Sequence, residues 1–441
     1  MGKKSLSAAL LTTTAMLAAA GCGGGGTPGG DETAAAPLNP KSASGTIKVL
    51  TNRTDLVQDG TLKRYAAEFN KTYPKVKVEF EGITDYEGEV KIRMNTDKYG
   101  DVLLIPGAVA KGDYPKFFAP LGDTGSMKDE YRFTDKTDVG GRTYGIATFG
   151  TADGVVYNKA LWKKAGITKW PTSPQEFLTD LKAVGDRTGA TPYYTNFKDG
   201  WPLSSPWTNS IGSVSCDSKA SDALADTDAP WGQGTDLHVI DTLLYDVVHD
   251  GLSEKDPTTT NWESSKTLLA KGKISSMLLG SWAITQMRDA AKKAGSNPDD
   301  IGFMPFPVQK DGKFCATLAS DYQQAVNIHS GHKQAARAWI DWFTQKSGYS
   351  ATEGAVSALR AAPMPATLKE FTDNDVIFVE RSEANTAEVN AIDNAAEIGL
   401  YKPDYRQKLV DIARGAQKGS LKDYFADLDK RWAEAKRTAG S

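Results

Sequence analysis

Hydrophobic residues follow two different periods along residues 46–106. Thr46–Leu50 is a short β run, Leu62–Phe69 has a helical apolar face, and Val76–Phe80 alternates between apolar and polar residues as a strand does. Strand–helix–strand order predicts parallel pairing with a right-handed crossover. Ligands of such sheets collect at the loops beyond the carboxyl ends of the strands. The loop Thr51–Gly60 is therefore a candidate binding segment.

A second series of strands and helices begins near Asp153. Val155–Tyr157 predicts a strand, and Ser173–Glu176 combines an N-cap serine, a proline and a glutamate, which indicates a helix start. A further helix is predicted from about residue 284 to residue 294, and the chain beyond Pro363 reads as helical. The pattern is that of an α/β protein.

Length and charge narrow the class of protein. A chain of 441 residues exceeds one typical hydrophobic core, so we expect two domains. The formal net charge of −3 gives no electrostatic reason to expect nucleic acid as a partner. Ten Trp and sixteen Tyr provide flat faces that suit either apolar cores or ligands with an apolar side.

The first 22 residues predict an export signal. Lys3 and Lys4 precede an Ala/Leu/Thr-rich stretch from Ser5 to Ala20. A membrane span would need about 20 strongly apolar residues, and the three threonines make this stretch too polar. We expect the mature protein to be soluble apart from any anchor.

The signal ends in Leu17–Cys22, which resembles the lipobox of bacterial lipoproteins, with Ala19 where that family usually has Leu. The resemblance implies that Cys22 is lipidated and anchors the protein to the outside of the cell membrane. The alternative is an ordinary cleaved signal with an incidental cysteine. Residues 23–45 are rich in Gly, Pro, Ala and Ser, cannot bury apolar surface, and predict a flexible tether.

Two cysteines, Cys216 and Cys315, follow Cys22. An even number of thiols in an exported protein favours a disulfide between them, and two buried free thiols are the alternative.

Three segments occur in an order that is typical of one family. Val155–Ile167 joins a strand to a short helix, Ala270–Trp282 is a strand that ends in a Gly-Ser-Trp turn, and Ala325–Ser347 is a strand followed by an Ala-rich helix with aromatic residues. Across residues 46–441 these segments resemble extracellular solute-binding proteins of the maltose-binding type, which serve ABC transporters. The resemblance implies the two-lobed periplasmic-binding-protein-like fold of type II, with hinge crossovers and a ligand cleft between the lobes.

The implied chain path assigns residues to lobes. Residues 46–150 and 320–360 form the first lobe, and residues 151–319 and 361–441 form the second. Both later cysteines then lie in the second lobe, which makes their pairing geometrically reasonable.

The implied function is capture of a small polar solute outside the cell, most simply a mono- or oligosaccharide, and its delivery to an ABC import permease. We expect a monomer with no metal, no cofactor and no nucleic-acid partner. A non-sugar cargo (a peptide, a polyamine or a charged metabolite) and a secreted glycan-acting hydrolase are the alternatives. Histidine spacing typical of zinc sites, nucleophile elbows and phosphate-binding loops are missing from the sequence, although a pair of hydrolytic carboxylates would leave no sequence signature.

Trp282 is the leading candidate for ligand contact, because the family commonly stacks a sugar ring on the Trp of this turn. An indole buries the apolar face of a pyranose while polar groups meet its hydroxyls, whereas a core Trp would fill the lobe interior. Other candidates come from loops after strands, from aromatic-rich loops and from the implied hinge, and of Trp201 and Trp207 one is expected in the core. These candidates are Arg53, Asp55, Tyr86, Glu87, Trp201, Trp207, Trp231, Asp321, Tyr322 and Arg360.

Overall fold

The computed structural model of the chain describes residues 42–107 and 109–439. The predicted export signal, the lipidation site Cys22 and residues 23–41 of the predicted tether lie outside the described residues. Ala43 is already buried at 1% exposure and the first strand begins at Gly45, so the packed fold starts slightly before the predicted boundary at residue 46. No helix within the described ranges is long and apolar enough to cross a bilayer.

Strands and helices alternate through most of the chain. The strands are β1 (Gly45–Thr51), β2 (Val76–Gly82), β3 (Val102–Leu104), β4 (Phe118–Ala119), β5 (Gly122–Asp123), β6 (Asp138–Val139), β7 (Arg142–Thr143), β8 (Ile146–Ala147), β9 (Gly150–Asn158), β10 (Ser276–Gly280), β11 (Ile301–Met304), β12 (Gln309–Lys310), β13 (Lys313–Ser320), β14 (Gln323–Asn327) and β15 (Ile377–Glu380). The helices are α1 (Thr54–Gln58), α2 (Thr61–Thr72), α3 (Tyr86–Arg93), α4 (Tyr114–Phe117), α5 (Thr124–Glu130), α6 (Lys159–Lys164), α7 (Pro174–Thr188), α8 (Trp201–Asn209), α9 (Asp236–His249), α10 (Trp262–Ala270), α11 (Trp282–Lys293), α12 (Lys333–Gln345), α13 (Tyr349–Thr352), α14 (Lys369–Asp373), α15 (Thr386–Ala395), α16 (Asp404–Ala413) and α17 (Leu421–Ala439).

The strands form two six-stranded sheets and one small three-stranded sheet. The first sheet has the order β2-β1-β3-β14-β4, with β8 beside β14. Strand β1 pairs in parallel with β2, as predicted, and also with β3. The second sheet has the order β10-β9-β13-β12, with β11 beside β9 and β15 beside β13. The small sheet is β5-β7-β6.

Two short crossings connect the large sheets and lie side by side. The chain leaves the first sheet through Thr148 and Phe149 and returns to it through Asp321 and Tyr322. The amide of Thr148 donates to the Tyr322 carbonyl at 2.9 Å, and the amide of Asp321 donates to the Phe149 carbonyl at 2.9 Å. Asp321 and Tyr322, the two residues expected at the hinge, therefore lie where the chain passes between the sheets.

The chain beyond Pro363 is not helical throughout, which corrects the prediction. Ile377–Glu380 forms β15 and pairs in parallel with Cys315–Leu318. A four-residue Ile-Phe-Val-Glu run is too short to show a period of its own, and the neighbouring helical patterns hide it. The predicted helix at residues 284–294 begins earlier, so Trp282 is the first residue of α11 and not a loop residue.

A disulfide joins Cys216 to Cys315, with their Cα atoms 5.5 Å apart. The bond ties the segment after α8 to β13, and Ser213 Oγ lies 3.3 Å from Thr317 Oγ1 beside it. The predicted pairing is confirmed.

Candidate functional site

Three tryptophans meet at one place and define the indole cluster: Trp201, Trp262 and Trp282. Ring centroids lie 5.0 Å apart for Trp201 and Trp262, 5.8 Å for Trp201 and Trp282, and 5.7 Å for Trp262 and Trp282. Each residue begins a helix, namely α8, α10 and α11. All three side chains are only partly buried, so aromatic surface remains open to solvent or ligand.

The residues before Trp282 fix the position of its indole. A Cβ atom on Gly280 would lie 2.5 Å from the Trp282 Nε1 and 2.7 Å from the Thr151 Oγ1, so a side chain there would displace the ring. The Ser281 hydroxyl lies 3.1 Å from the Thr151 hydroxyl and accepts a hydrogen bond from the Ala152 amide at 3.1 Å. The end of β10 is thereby held against β9, and the indole lies over Gly280.

A polar cleft adjoins the second sheet. It consists of two neighbouring cavities of about 930 Å³ and about 780 Å³ that share seven lining residues. The shared residues come from both sides of the chain crossing and are Gly107, Lys136, Ser320, Glu383, Thr386, Asn390 and Asn394.

Helix α8 links the indole cluster to the polar cleft. Its first residue is Trp201, and Ser205, Thr208 and Asn209 further along it line the larger cavity. The buried Arg406 guanidinium donates to Thr208 Oγ1 at 2.7 Å and to Asp241 Oδ1 at 2.8 Å, which anchors the helix to its neighbours. Aromatic and hydrogen-bonding surfaces are therefore carried by one rigid element.

A buried charged group forms part of the wall of the cleft. Arg381, with its side chain 8% exposed, donates to Asn209 Oδ1 at 2.7 Å and to Glu383 Oε1 at 3.2 Å. Burial raises the pKa of Asp153 well above its ordinary value, and Arg381 offsets this only in part. Burial also disfavours ionisation of Glu383, but Lys136 and Arg381 together lower its pKa.

Arg53 and Asp55 lie together after β1, as predicted, but pair mainly with protein groups. The Arg53 guanidinium donates to Asp55 Oδ2 at 2.8 Å, to Glu353 Oε2 at 2.8 Å and to the Tyr349 hydroxyl at 2.9 Å. Arg53 also lines a small cavity of about 70 Å³ with Asp321 and Tyr322. The hydrogen bonds from Arg53 lower the pKa of Asp55.

Glu87 and Tyr322 lie together on the wall of the polar cleft, in its cavity of about 780 Å³. The Tyr322 hydroxyl donates to Glu87 Oε1 at 2.7 Å, and the Gly107 amide donates to Glu87 Oε2 at 2.9 Å. Asp321 lines the same cavity, and burial raises the pKa of its carboxyl.

Trp231 and Tyr86 do not reach open cleft surface, which corrects the prediction, whereas Trp207 is the member of the Trp201/Trp207 pair that was expected in the core. Arg360 is exposed but lines neither cavity of the polar cleft. Trp207 and Trp231 are 2% and 1% exposed in the hydrophobic core, where the Trp231 Nε1 donates to Asp241 Oδ2 at 2.8 Å. Tyr86 is 3% exposed, and its hydroxyl donates to the Leu104 carbonyl at 3.1 Å. Arg360 is held by both carboxylate oxygens of Glu380, at 2.9 and 3.0 Å.

Sequence reasoning missed residues that the fold brings to the site. Trp262 follows the N-cap Asn261 and could have been suspected from its place at a helix start. Arg381 and Tyr401 line the larger cavity but follow segments that read as helical, so no local signal marked them. The described residues contain no group of three or more His, Cys, Asp or Glu side chains that could hold a metal ion.

Two sheets joined by paired crossings, with an open indole cluster beside a polar cleft, define a protein built to bind a ligand. The chain belongs to the bacterial extracellular solute-binding protein family, whose family model matches residues 54–349. This confirms the resemblance drawn from the three sequence segments.

Solved structures agree with this assignment. A binding protein of an ABC transporter from Bifidobacterium animalis subsp. lactis, in complex with mannobiose, is 32% identical, with a TM-score of 0.80 over 90% of this chain and 96% of that one. A manno-oligosaccharide specific solute-binding protein from the same organism, in complex with mannotriose, is 32% identical, with a TM-score of 0.80 over 91% and 96%. The multiple sugar-binding protein of Streptococcus mutans is 21% identical over 76% of this chain and 81% of its own length.

Proposed function

We propose that this protein is the extracytoplasmic receptor of an ABC importer and that its cargo is a short oligosaccharide, with mannose-containing di- and trisaccharides as the first candidates. The observation that carries the proposal is the partly exposed indole cluster beside a cleft rich in hydroxyl, amide and charged groups. The two relatives at 32% identity, which hold mannobiose and mannotriose, support the choice of sugar.

The chemistry of the site suits a sugar better than the other cargoes. A pyranose has an apolar C–H face, which an indole covers, and a rim of hydroxyls that donate and accept hydrogen bonds. Lys136, Asn390 and Asn394 line both cavities and provide donors and acceptors on the cleft wall. A polyamine would need several unpaired carboxylates, whereas Glu87 and Glu383 are already engaged with protein donors.

The arrangement of two sheets joined by short crossings suggests how the protein binds and releases its ligand. We propose that the ligand bridges the two lobes and stabilises a closed form that an import permease recognises. The protein would act without changing the bonds of its cargo. Incubation with mannotriose should therefore release no new reducing ends, and measurable turnover would favour the hydrolase alternative.

We also propose that Cys22 is lipidated and that residues 23–41 act as a tether. The lipobox-like end of the signal and the Gly-rich composition after it support this proposal. Mass spectrometry of the protein from membranes tests it, since the acyl mass should be found on Cys22 and should be lost from a Cys22→Ala variant. Unmodified Cys22 in a membrane-free fraction would contradict it.

Thermal unfolding with added ligands tests the sugar assignment. A ligand at about 100 times its Kd stabilises the folded state by about 2.7 kcal/mol, so the unfolding temperature should rise with mannobiose or mannotriose. Spermidine and a short basic peptide, added at the same concentrations, should leave it unchanged. A rise with spermidine or the peptide alone would contradict the proposal, as would no rise with any sugar in a broad oligosaccharide panel.

A further inference from the structure

The carboxylate of Glu380, at the end of β15, is held by donors from a distant part of the chain. The Arg360 guanidinium donates to Glu380 Oε2 at 2.9 Å and to Glu380 Oε1 at 3.0 Å. The Phe133 amide donates to Glu380 Oε1 at 2.8 Å, and Arg132 Nη1 lies 3.6 Å from Glu380 Oε2. The Glu380 side chain is 25% exposed, so these contacts are partly shielded from water and salt. We call Arg132, Phe133, Arg360 and Glu380 the clasp.

The clasp joins the two large sheets. The Arg132 amide donates to the Ala358 carbonyl at 2.7 Å, which ties the donor segments to each other two residues before Arg360. The Tyr131 hydroxyl accepts a hydrogen bond at 2.6 Å from Gln345 at the end of α12, and α12 packs on β14 of the first sheet. The accepting carboxylate belongs to the second sheet, because β15 pairs with β13. A change in the angle between the sheets therefore acts directly on the clasp.

Phe133 has an unusual backbone conformation within the clasp. Its φ of 65° lies in the left-handed region, where a residue with a bulky side chain is an outlier. Its buried ring lies against Gly150, the first residue of β9, where a Cβ atom would collide with the ring. The ring thus covers the start of β9 just after the crossing, while the amide points at Glu380. Strained residues of this kind persist where the surrounding structure holds them for a functional reason.

The clasp adjoins the wall of the polar cleft but lies outside it. Arg381 and Glu383 come one and three residues after Glu380 and line the cavity of about 930 Å³, whereas Glu380 lines neither cavity of the cleft. Lys111 Nζ donates to the Glu383 carbonyl at 3.3 Å and to the Asp135 carbonyl at 2.7 Å. Lys111 and Glu383 also line the same cavity of about 780 Å³. At the angle that the clasp fixes, a ligand in this cavity meets both walls at once.

We infer that Glu380 is a positioning residue, which acts through the clasp to fix the angle between the two sheets and thereby raises sugar affinity without touching the sugar. This inference rests on the proposed function. The clasp limits how far the empty cleft opens, so part of the ordering that binding requires is already present in the unliganded protein. Without the clasp the empty cleft opens wider, and binding has to bring the two walls back together.

Calorimetric titration of mannobiose and mannotriose into wild type, Glu380→Gln and Arg360→Gln tests this inference. Glu380→Gln keeps the shape of the side chain and removes its charge, and it should weaken binding of both sugars by the same factor, about fivefold, or about 1 kcal/mol. Arg360→Gln should weaken both sugars in the same way. In the double variant the two losses should not add, because both changes break the same contact.

Small-angle X-ray scattering distinguishes a change of angle from a simple loss of stability. Unliganded Glu380→Gln should have a larger radius of gyration than unliganded wild type, and saturating mannotriose should bring both to the same radius. Glu81→Gln is the matched control, because Glu81 on β2 pairs with Arg93 on α3 at 2.5 Å and both residues precede the first crossing. This control should change neither the affinity nor the radius.

The outcomes separate the clasp from the proposed function. Unchanged affinity in Glu380→Gln, tighter binding, weakening of one sugar alone, or an equal loss in Glu81→Gln would overturn the inference, while wild-type binding leaves the proposed function standing. Failure of the wild type to bind any oligosaccharide would overturn the proposed function. The radii of unliganded wild type and Glu380→Gln would still test the clasp in that case, and equal radii would overturn it.

Discussion

Asp153 shows how a single buried polar residue can cost stability. The residue is 2% exposed in β9, the strand that pairs with three others in the second sheet, and one of its carboxyl oxygens has no partner among the described residues. A polar group kept in such a position at a cost in stability is typical of a functional site.

Asp153→Asn should make stability less sensitive to pH. Burial raises the folded-state pKa of Asp153 above its ordinary 3.8, so the folded protein binds the proton more tightly than the unfolded chain does. The free energy of unfolding of the wild type should therefore fall, relative to that of the variant, as pH rises above 3.8. Urea unfolding of both proteins at a series of pH values measures this difference. A wild type that gains stability relative to the variant on going to higher pH would show that Asp153 is ionised and paired with Arg381.

The tryptophans show why residue identity alone could not define the site. Trp201 and Trp207 both belong to α8, but the Trp201 indole is part of the partly exposed indole cluster, whereas the Trp207 indole lies in the core. The sequence motif indicated that one of the two was buried and could not say which. Trp282 could be proposed as a ligand contact because it lies in a turn that is typical of the family. Its partner Trp262 belongs to a different helix, and only the fold brings the two indoles together.

At the scale of elements, helix starts and strand–helix–strand units could be predicted from the local sequence, whereas strands that depend on pairing with a distant segment could not. The Ser173 hydroxyl accepts from the Glu176 amide at 3.2 Å, so the predicted start of α7 is confirmed. The parallel pairing of β1 and β2 is also confirmed. The short edge strand β15 and the residues after it depend on pairing with β13, which no local period reveals.

The disulfide should contribute measurably to stability. It closes a loop between residues 99 positions apart, and replacing both Cys216 and Cys315 by Ser should lower the free energy of unfolding by about 2–4 kcal/mol. Chemical unfolding of the double variant and of the wild type measures this loss, and the wild type unfolded with reductant present should behave like the variant. Equal stability of variant and wild type would contradict it.

The whole molecule is organised around the paired crossings at Thr148–Phe149 and Asp321–Tyr322. Two hydrogen bonds join these segments, so a change in angle between the sheets would be concentrated there. We propose that the lobes divide at about residues 150, 320 and 361 and that they rotate about these crossings. The family and its solved members show the two-lobed fold, and the motion remains a prediction.

Closure on ligand should be visible in solution. Small-angle X-ray scattering of the protein with saturating mannotriose should give a smaller radius of gyration than the protein alone, because the ligand favours the closed form. The Trp282→Ala variant at the same sugar concentration should respond less. An identical radius in the presence and absence of bound sugar would contradict hinge closure.

Calorimetric titration of mannotriose into wild type, Trp282→Ala and Trp170→Ala tests the central claim most directly. Trp170 is a matched control, a partly buried tryptophan whose ring packs on Phe314 and Phe371. Trp282→Ala should weaken binding at least about tenfold, or about 1.4 kcal/mol, while Trp170→Ala should keep the wild-type affinity. An unchanged affinity in Trp282→Ala, or an equal loss in both variants, would contradict the claim that this protein holds a sugar on its indole cluster.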